Sequence, residues 1–112
     1  VWWLATVLAL SASPPAAQKA KGLDEALKDE ALAVGAVSGR AEACELDWKP
    51  HYETFMAAKR ADGVSDLDMV FVGAYHGAGQ GNAASEANGE CPDDMRKQTQ
   101  KEIDANLAKY KK

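Results

Sequence analysis

The sequence predicts an all-α domain, a small four-helix bundle stapled by one disulfide. Three observations carry that reading. Apolar residues recur at steps of three, four and seven through most of the chain beyond residue 22. Prolines and cap residues fall where helices would start and not in their interiors. Two cysteines, Cys44 and Cys91, are the whole complement, an even count that points to a bridge in an exported chain. Closing a loop of about 46 residues would restrict the unfolded chain by about 4 kcal/mol on the entropic account.

The chain of 112 residues has room for one small domain. It opens VWWLATVLAL, without charge, and continues SASPPAAQKAK. An apolar run, then small residues and prolines, then the first lysines is the order of a secretory signal peptide, here without a preceding Met or basic stretch. Residues 1–20 are therefore read as a signal-peptide-like leader, with candidate cleavage bonds between Ser11 and Ala20, and residues 21–112 as a single helical domain. The apolar run is shorter than the roughly 20 residues that span a bilayer. A membrane is expected as a partner only if the leader stays uncleaved. The expected location is periplasmic or secreted.

The first helix is expected over 23–45. Leu23, Leu27, Val34, Val37, Ala41 and Cys44 keep helical spacing, and Asp24 and Glu25 suit the positive end of the dipole. Pro50 fits the first turn of a second helix over 50–62, where its missing N–H has no partner to lose. Trp48, Tyr52, Phe55 and Met56 line one face of it, and Gly63 is placed to cap its end. Ser65, with Asp68 three residues on, starts a third helix over 66–80. Its apolar positions are Leu67, Val70, Phe71, Ala74, Tyr75 and Ala78. GNAASEANGEC reads as a polar loop with a turn at Asn88-Gly89. Pro92, Asp93 and Asp94 open the last helix over 92–111, with Lys109, Lys111 and Lys112 at its negative end.

The third helix contains HGAGQG at 76–81, and an apolar run into His-Gly-x-Gly resembles the oxyanion loop of α/β-hydrolases. No G-x-S-x-G elbow and no series of strands accompanies it, and no Gly-Lys-Ser/Thr ends it as a phosphate loop requires. Gly73, Gly77 and Gly81 instead recur every four residues as one edge of a helix. The first helix has a matching row of Ala31, Gly35, Gly39 and Ala43. Since each glycine costs about 1 kcal/mol against alanine in a helix, Gly35, Gly39, Gly73, Gly77 and Gly81 are expected to serve close helix packing. Fraying of the third helix near 77–81 is the competing expectation.

His51 and His76 are the candidate metal ligands, with Asp47, Glu53 or Glu86 nearby in sequence, but neither has a partner at ligand spacing. Both are expected to be solvated. The stripe Trp48, Tyr52, Phe55 and Met56 is read as core, with a partner surface as the alternative. Thirteen Lys+Arg stand against 17 Asp+Glu, net −4, without a basic stripe. That excludes nucleic acid as a partner and disfavours an anionic membrane surface.

A short exported helical chain, the tripeptide ACE at Cys44, the long spacing to Cys91 and a last helix ending YKK together resemble the periplasmic acid-stress chaperones of the HdeA/HdeB type. The long helix ahead of Cys44 and the glycines at 73–81 depart from that pattern. The resemblance implies client binding after acid-induced opening. The functional expectation is a small exported protein with a non-catalytic binding or structural role towards an unknown protein partner, with stress as the setting the resemblance implies. It is expected to need no cofactor. The alternatives are a metal- or small-ligand-binding protein using His51 and His76, and an enzyme built on the HGAGQG loop.

Overall fold

A computed structural model describes residues 23–111; the leader expected over 1–20 lies outside them. Four helices follow one another: α1 Glu25–Ala43, α2 Lys49–Ala61, α3 Asp66–Ala87 and α4 Asp93–Tyr110. No strand occurs among the described residues, and no helix among them is long and apolar enough to cross a membrane.

Local chemistry sets the helix ends. The Leu27 N–H donates to Asp24 Oδ1 at 2.8 Å at the start of α1, and the Asp68 N–H donates to Ser65 Oγ at 3.1 Å at the start of α3. Each satisfies one of the four N–H groups left over at a helix start. Gly63, at φ 94°, follows the end of α2, where the left-handed turn favours glycine.

The third helix runs seven residues beyond the expected end at 80. Residues 81–87, expected to be loop, complete two more turns, and Asn88 and Gly89 close them with φ of 51° and 79°. The expected turn is thus the helix cap. Fraying at 77–81 does not occur: the stretch stays helical, with His76, Gly79 and Gln80 set against α1.

The dominant packing is α1 on α3, with α2 and α4 completing the bundle around α1. The glycine expectation holds for α1 and is corrected for α3. A β-carbon at Gly35 would overlap the carbonyl oxygen of His76, and one at Gly39 that of Gln80. From α3 it is Gly79 that meets α1, against the carbonyl of Leu32. Gly77 and Gly81 face open space and Gly73 touches only the end of Met56, so the every-fourth-residue edge is not the contact.

The buried face of α3 is correspondingly different from the expected one. Met69, Val72, His76, Gly79 and Ala83 are buried, whereas Leu67 and Val70 are 58% and 66% exposed. Two apolar clusters result. One gathers Ala31, Val34, Phe55, Met56, Met69, Val72 and Tyr110. The other joins Val37, Ala41 and Ile103 to Leu46, Trp48 and Leu107. Cys44, at the end of α1, and Cys91, just before α4, stand at disulfide distance with Cα atoms 5.1 Å apart, so the second cluster lies at the stapled end.

Candidate functional site

Between the two apolar clusters lies a polar layer with one residue from each helix. On α1 it falls at Ser38, between Val34 and Ala41. On α4 it falls at Asn106, between Ile103 and Tyr110. His51 supplies it from α2 and His76 from α3. Ser38, His51 and His76 are 0%, 1% and 2% exposed. The expectation of solvated histidines is therefore overturned.

Ser38 Oγ lies 2.9 Å from His51 Nδ1 and 3.0 Å from His76 Nε2. Asn106 Nδ2 lies 2.9 Å from His51 Nε2. These contacts define a directed chain. The Asn106 amide N–H donates to His51 Nε2, which leaves the His51 proton on Nδ1. That N–H donates to Ser38 Oγ, and the Ser38 hydroxyl donates to His76 Nε2. Every link pairs one donor with one acceptor only while both imidazoles are neutral.

The surroundings favour that neutral state. The Tyr52 ring is 4.7 Å and the Phe55 ring 6.4 Å from the His76 ring, centre to centre. Burial depresses the pKa of His51, and it takes His76 down to about 4, with the neighbouring His51 adding to the effect.

Serine is short, so a hydroxyl on α1 reaches His76 only if the two backbones lie close. Gly35, about one turn before Ser38, and Gly39, directly after it, provide that approach. The same local pattern thus sets the helix crossing and the polar chain.

A second polar group sits at the other end of the bundle. The Tyr110 hydroxyl donates to Glu30 Oε2, and Lys59 Nζ donates to Glu30 Oε1 at 3.0 Å. Lys59 also pairs with Asp62 at 3.4 Å. Burial alone would raise the Glu30 pKa, but the Tyr110 and Lys59 hydrogen bonds outweigh it and hold the carboxyl below its usual range. These residues border a hollow of about 500 Å³ with Ala57, Ala58, Lys109 and Lys111. Its half-buried ammonium, Lys59, is already committed to two carboxylates. The C-terminal ends of α2 and α4 contribute negative partial charge beside it.

The other sequence-derived candidates fall as follows. Phe55 and Met56 are buried in the core, which overturns their place in a partner stripe; Trp48 and Tyr52 are half-buried. HGAGQG lies within α3, where its N–H groups serve the helix and not an oxyanion. His51 and His76 are brought together as the metal reading requires, but around Ser38. No group of three metal-ligating side chains forms among the described residues. Sequence reasoning missed Ser38 and Asn106. The available signal for Ser38 was its position between two glycines on a buried helix face. Comparison of the chain with protein-family models, with curated proteins and with solved structures finds no match.

Proposed function

We propose that this chain is an exported, non-catalytic binding protein whose fold is keyed to pH, opening in acid to expose apolar surface to a client. The observation that carries the reading is the single hydroxyl of Ser38 held between the buried, neutral rings of His51 and His76. Acid attacks that arrangement twice. A proton on His76 Nε2 places a second donor against Ser38 Oγ, so the hydroxyl must turn away and lose its acceptor. The same proton creates a charge in an aromatic, desolvated setting.

The Ser–His contact distances are those of a nucleophile and base, yet Ser38 has no exposed surface for a substrate to reach. The two imidazole nitrogens converging on one point favour metal binding as the second reading. A zinc titration that shifts the His51 and His76 imidazole NMR signals, with 1:1 stoichiometry, would establish that reading instead.

The test of the main reading measures binding of an apolar fluorescent dye and suppression of aggregation of a denatured client from pH 7 to pH 3. Both are expected to rise together in acid. A chain that binds no dye and protects no client across that range sinks the proposal.

A further inference from the structure

The outer face of α3 is the strongest unassigned surface. It lies opposite the buried row Met69, Val72, His76 and Gly79 and carries Leu67, Val70 and Phe71, then Ala74, Gly77 and Ala78. Leu67 and Val70 are the large apolar side chains most exposed among the described residues. A helix that is apolar all round is ordinarily covered all round, and α3 is covered by α1 and α2 on one side only. No charged residue occurs from Met69 to Ser85.

The charge around this face says what covers it. No Lys or Arg occurs between Arg60 and Arg96. Asp66 and Asp68 stand in the first turn of α3, and Glu86 and Glu90 at and just past its end. Among the described residues Lys28 brings an ammonium to the flank of α3, its Nζ 5.5 Å from the Tyr75 ring centre. The face is thus an uncharged strip about 27 Å long, at 1.5 Å per residue, with carboxylates at both ends.

A second copy of this chain fits poorly. Either orientation of two α3 helices would set carboxylates against carboxylates.

We infer that the outer face of α3 docks a single amphipathic helix of a partner protein, with an aliphatic or small-residue face and Lys or Arg at both ends. The inference rests on the binding role proposed above and names the surface used by the folded state. The partner's apolar side covers Leu67, Val70 and Phe71, and its basic ends meet the acidic ends of α3. Gly77 and Gly81 admit its backbone. A β-carbon at either would find open space in the free chain, so the fold itself has no use for two residues that weaken the helix. Within the fold, Gly35, Gly39 and Gly79 already use the same device to bring α1 and α3 together.

The test is done at pH 7, where the histidine chain is intact, so it is independent of acid opening. A fluorescent synthetic helix of about 18 residues, with a Leu/Ala face and two lysines at each end, is titrated with the full chain. Its glutamate-ended twin is the control. The lysine-ended peptide is expected to bind at least about tenfold more tightly and to lose affinity as salt rises. Val70→Asp is expected to weaken binding by about tenfold or more. The Gly77→Ala/Gly81→Ala pair is expected to weaken binding while raising Tm, an opposition that a merely structural role would not produce. Equal binding of both peptides, or of neither, overturns the inference. A chain that sediments as a dimer broken by Val70→Asp assigns the face to a second copy and overturns it too. Peptide binding that appears only after removal of residues 1–22 assigns it to the chain's own N-terminal stretch, with the same consequence.

Discussion

Gly35 of α1 lies against the carbonyl of His76 on α3 so closely that a β-carbon at position 35 would overlap it. The approach is made by backbone, so no rotamer change relieves it, and one helix must move. Gly35→Ala is therefore expected to destabilise the fold by about 3 kcal/mol or more, at the upper end of overpacking costs. Gly77→Ala, on the same α3 but facing open space, is expected to stabilise it by up to about 1 kcal/mol through helix propensity. Urea denaturation of the two variants reads both signs. Similar destabilisation by both would mean that α3 faces α1 differently.

Ser38 depends on that crossing and repays it with two contacts. Ser38→Ala removes the hydroxyl from between His51 Nδ1 and His76 Nε2 and leaves buried ring nitrogens without partners. The cost expected is about 1–3 kcal/mol, again read by urea denaturation at pH 7. A value near zero would show that water or a rotated ring takes the place of the hydroxyl.

Much of the fold was legible in the sequence because helix ends depend on local chemistry. Ser65, Gly63 and Pro50 act within one turn of themselves, and three of the four helices end within about two residues of expectation. The face of α3 was not legible, for a physical reason. Leu67, Val70 and Phe71 dominate any search for periodicity by size, yet backbone proximity to α1 decides the crossing. There the smallest residue, Gly79, wins over the largest. Helical spacing measured from that stripe sets His76 on the side of Met69 and Gln80, away from Leu67, Val70 and Phe71. Once the face is turned, that grouping brings it into the core. A polar side chain reads as solvated unless its partner is known, and the partner of His76 is 38 residues away in sequence. The glycines flanking Ser38 were visible in the sequence, but their consequence for Ser38 was not.

The contact between Cys44 and Cys91 closes the end of the bundle that has the smaller apolar cluster. Reduction, or Cys44→Ala with Cys91→Ala, is expected to cost about 4 kcal/mol on the entropic account. For a domain of this size that corresponds to roughly 15–30 °C in Tm. Differential scanning calorimetry with and without reductant measures it. An unchanged Tm would show that the two cysteines are not bridged.

Acid should find the polar layer before it unfolds the apolar clusters. The His76 pKa is about 4 in the fold against 6.5 for a free imidazole. Between those values the unfolded chain binds one more proton than the folded one, so stability falls as pH falls. The loss begins near pH 6.5, runs at up to about 1.4 kcal/mol per pH unit, and approaches about 3 kcal/mol near pH 4. His51 is depressed in the same direction and adds to it. Glu30, held below its usual range by Tyr110 and Lys59, works in the same sense at lower pH. Its contribution is present above the ordinary carboxylate range and is lost as pH falls through its lowered value. Replacing the ring with an apolar side chain, His76→Leu, removes the titrating group and keeps the Ser38–His51 contact. That variant is expected to have lower stability at pH 7 but a much flatter profile between pH 6.5 and pH 4, as measured by urea denaturation at each pH. If its slope equals that of the parent chain, His76 is not the acid-sensitive element of the core.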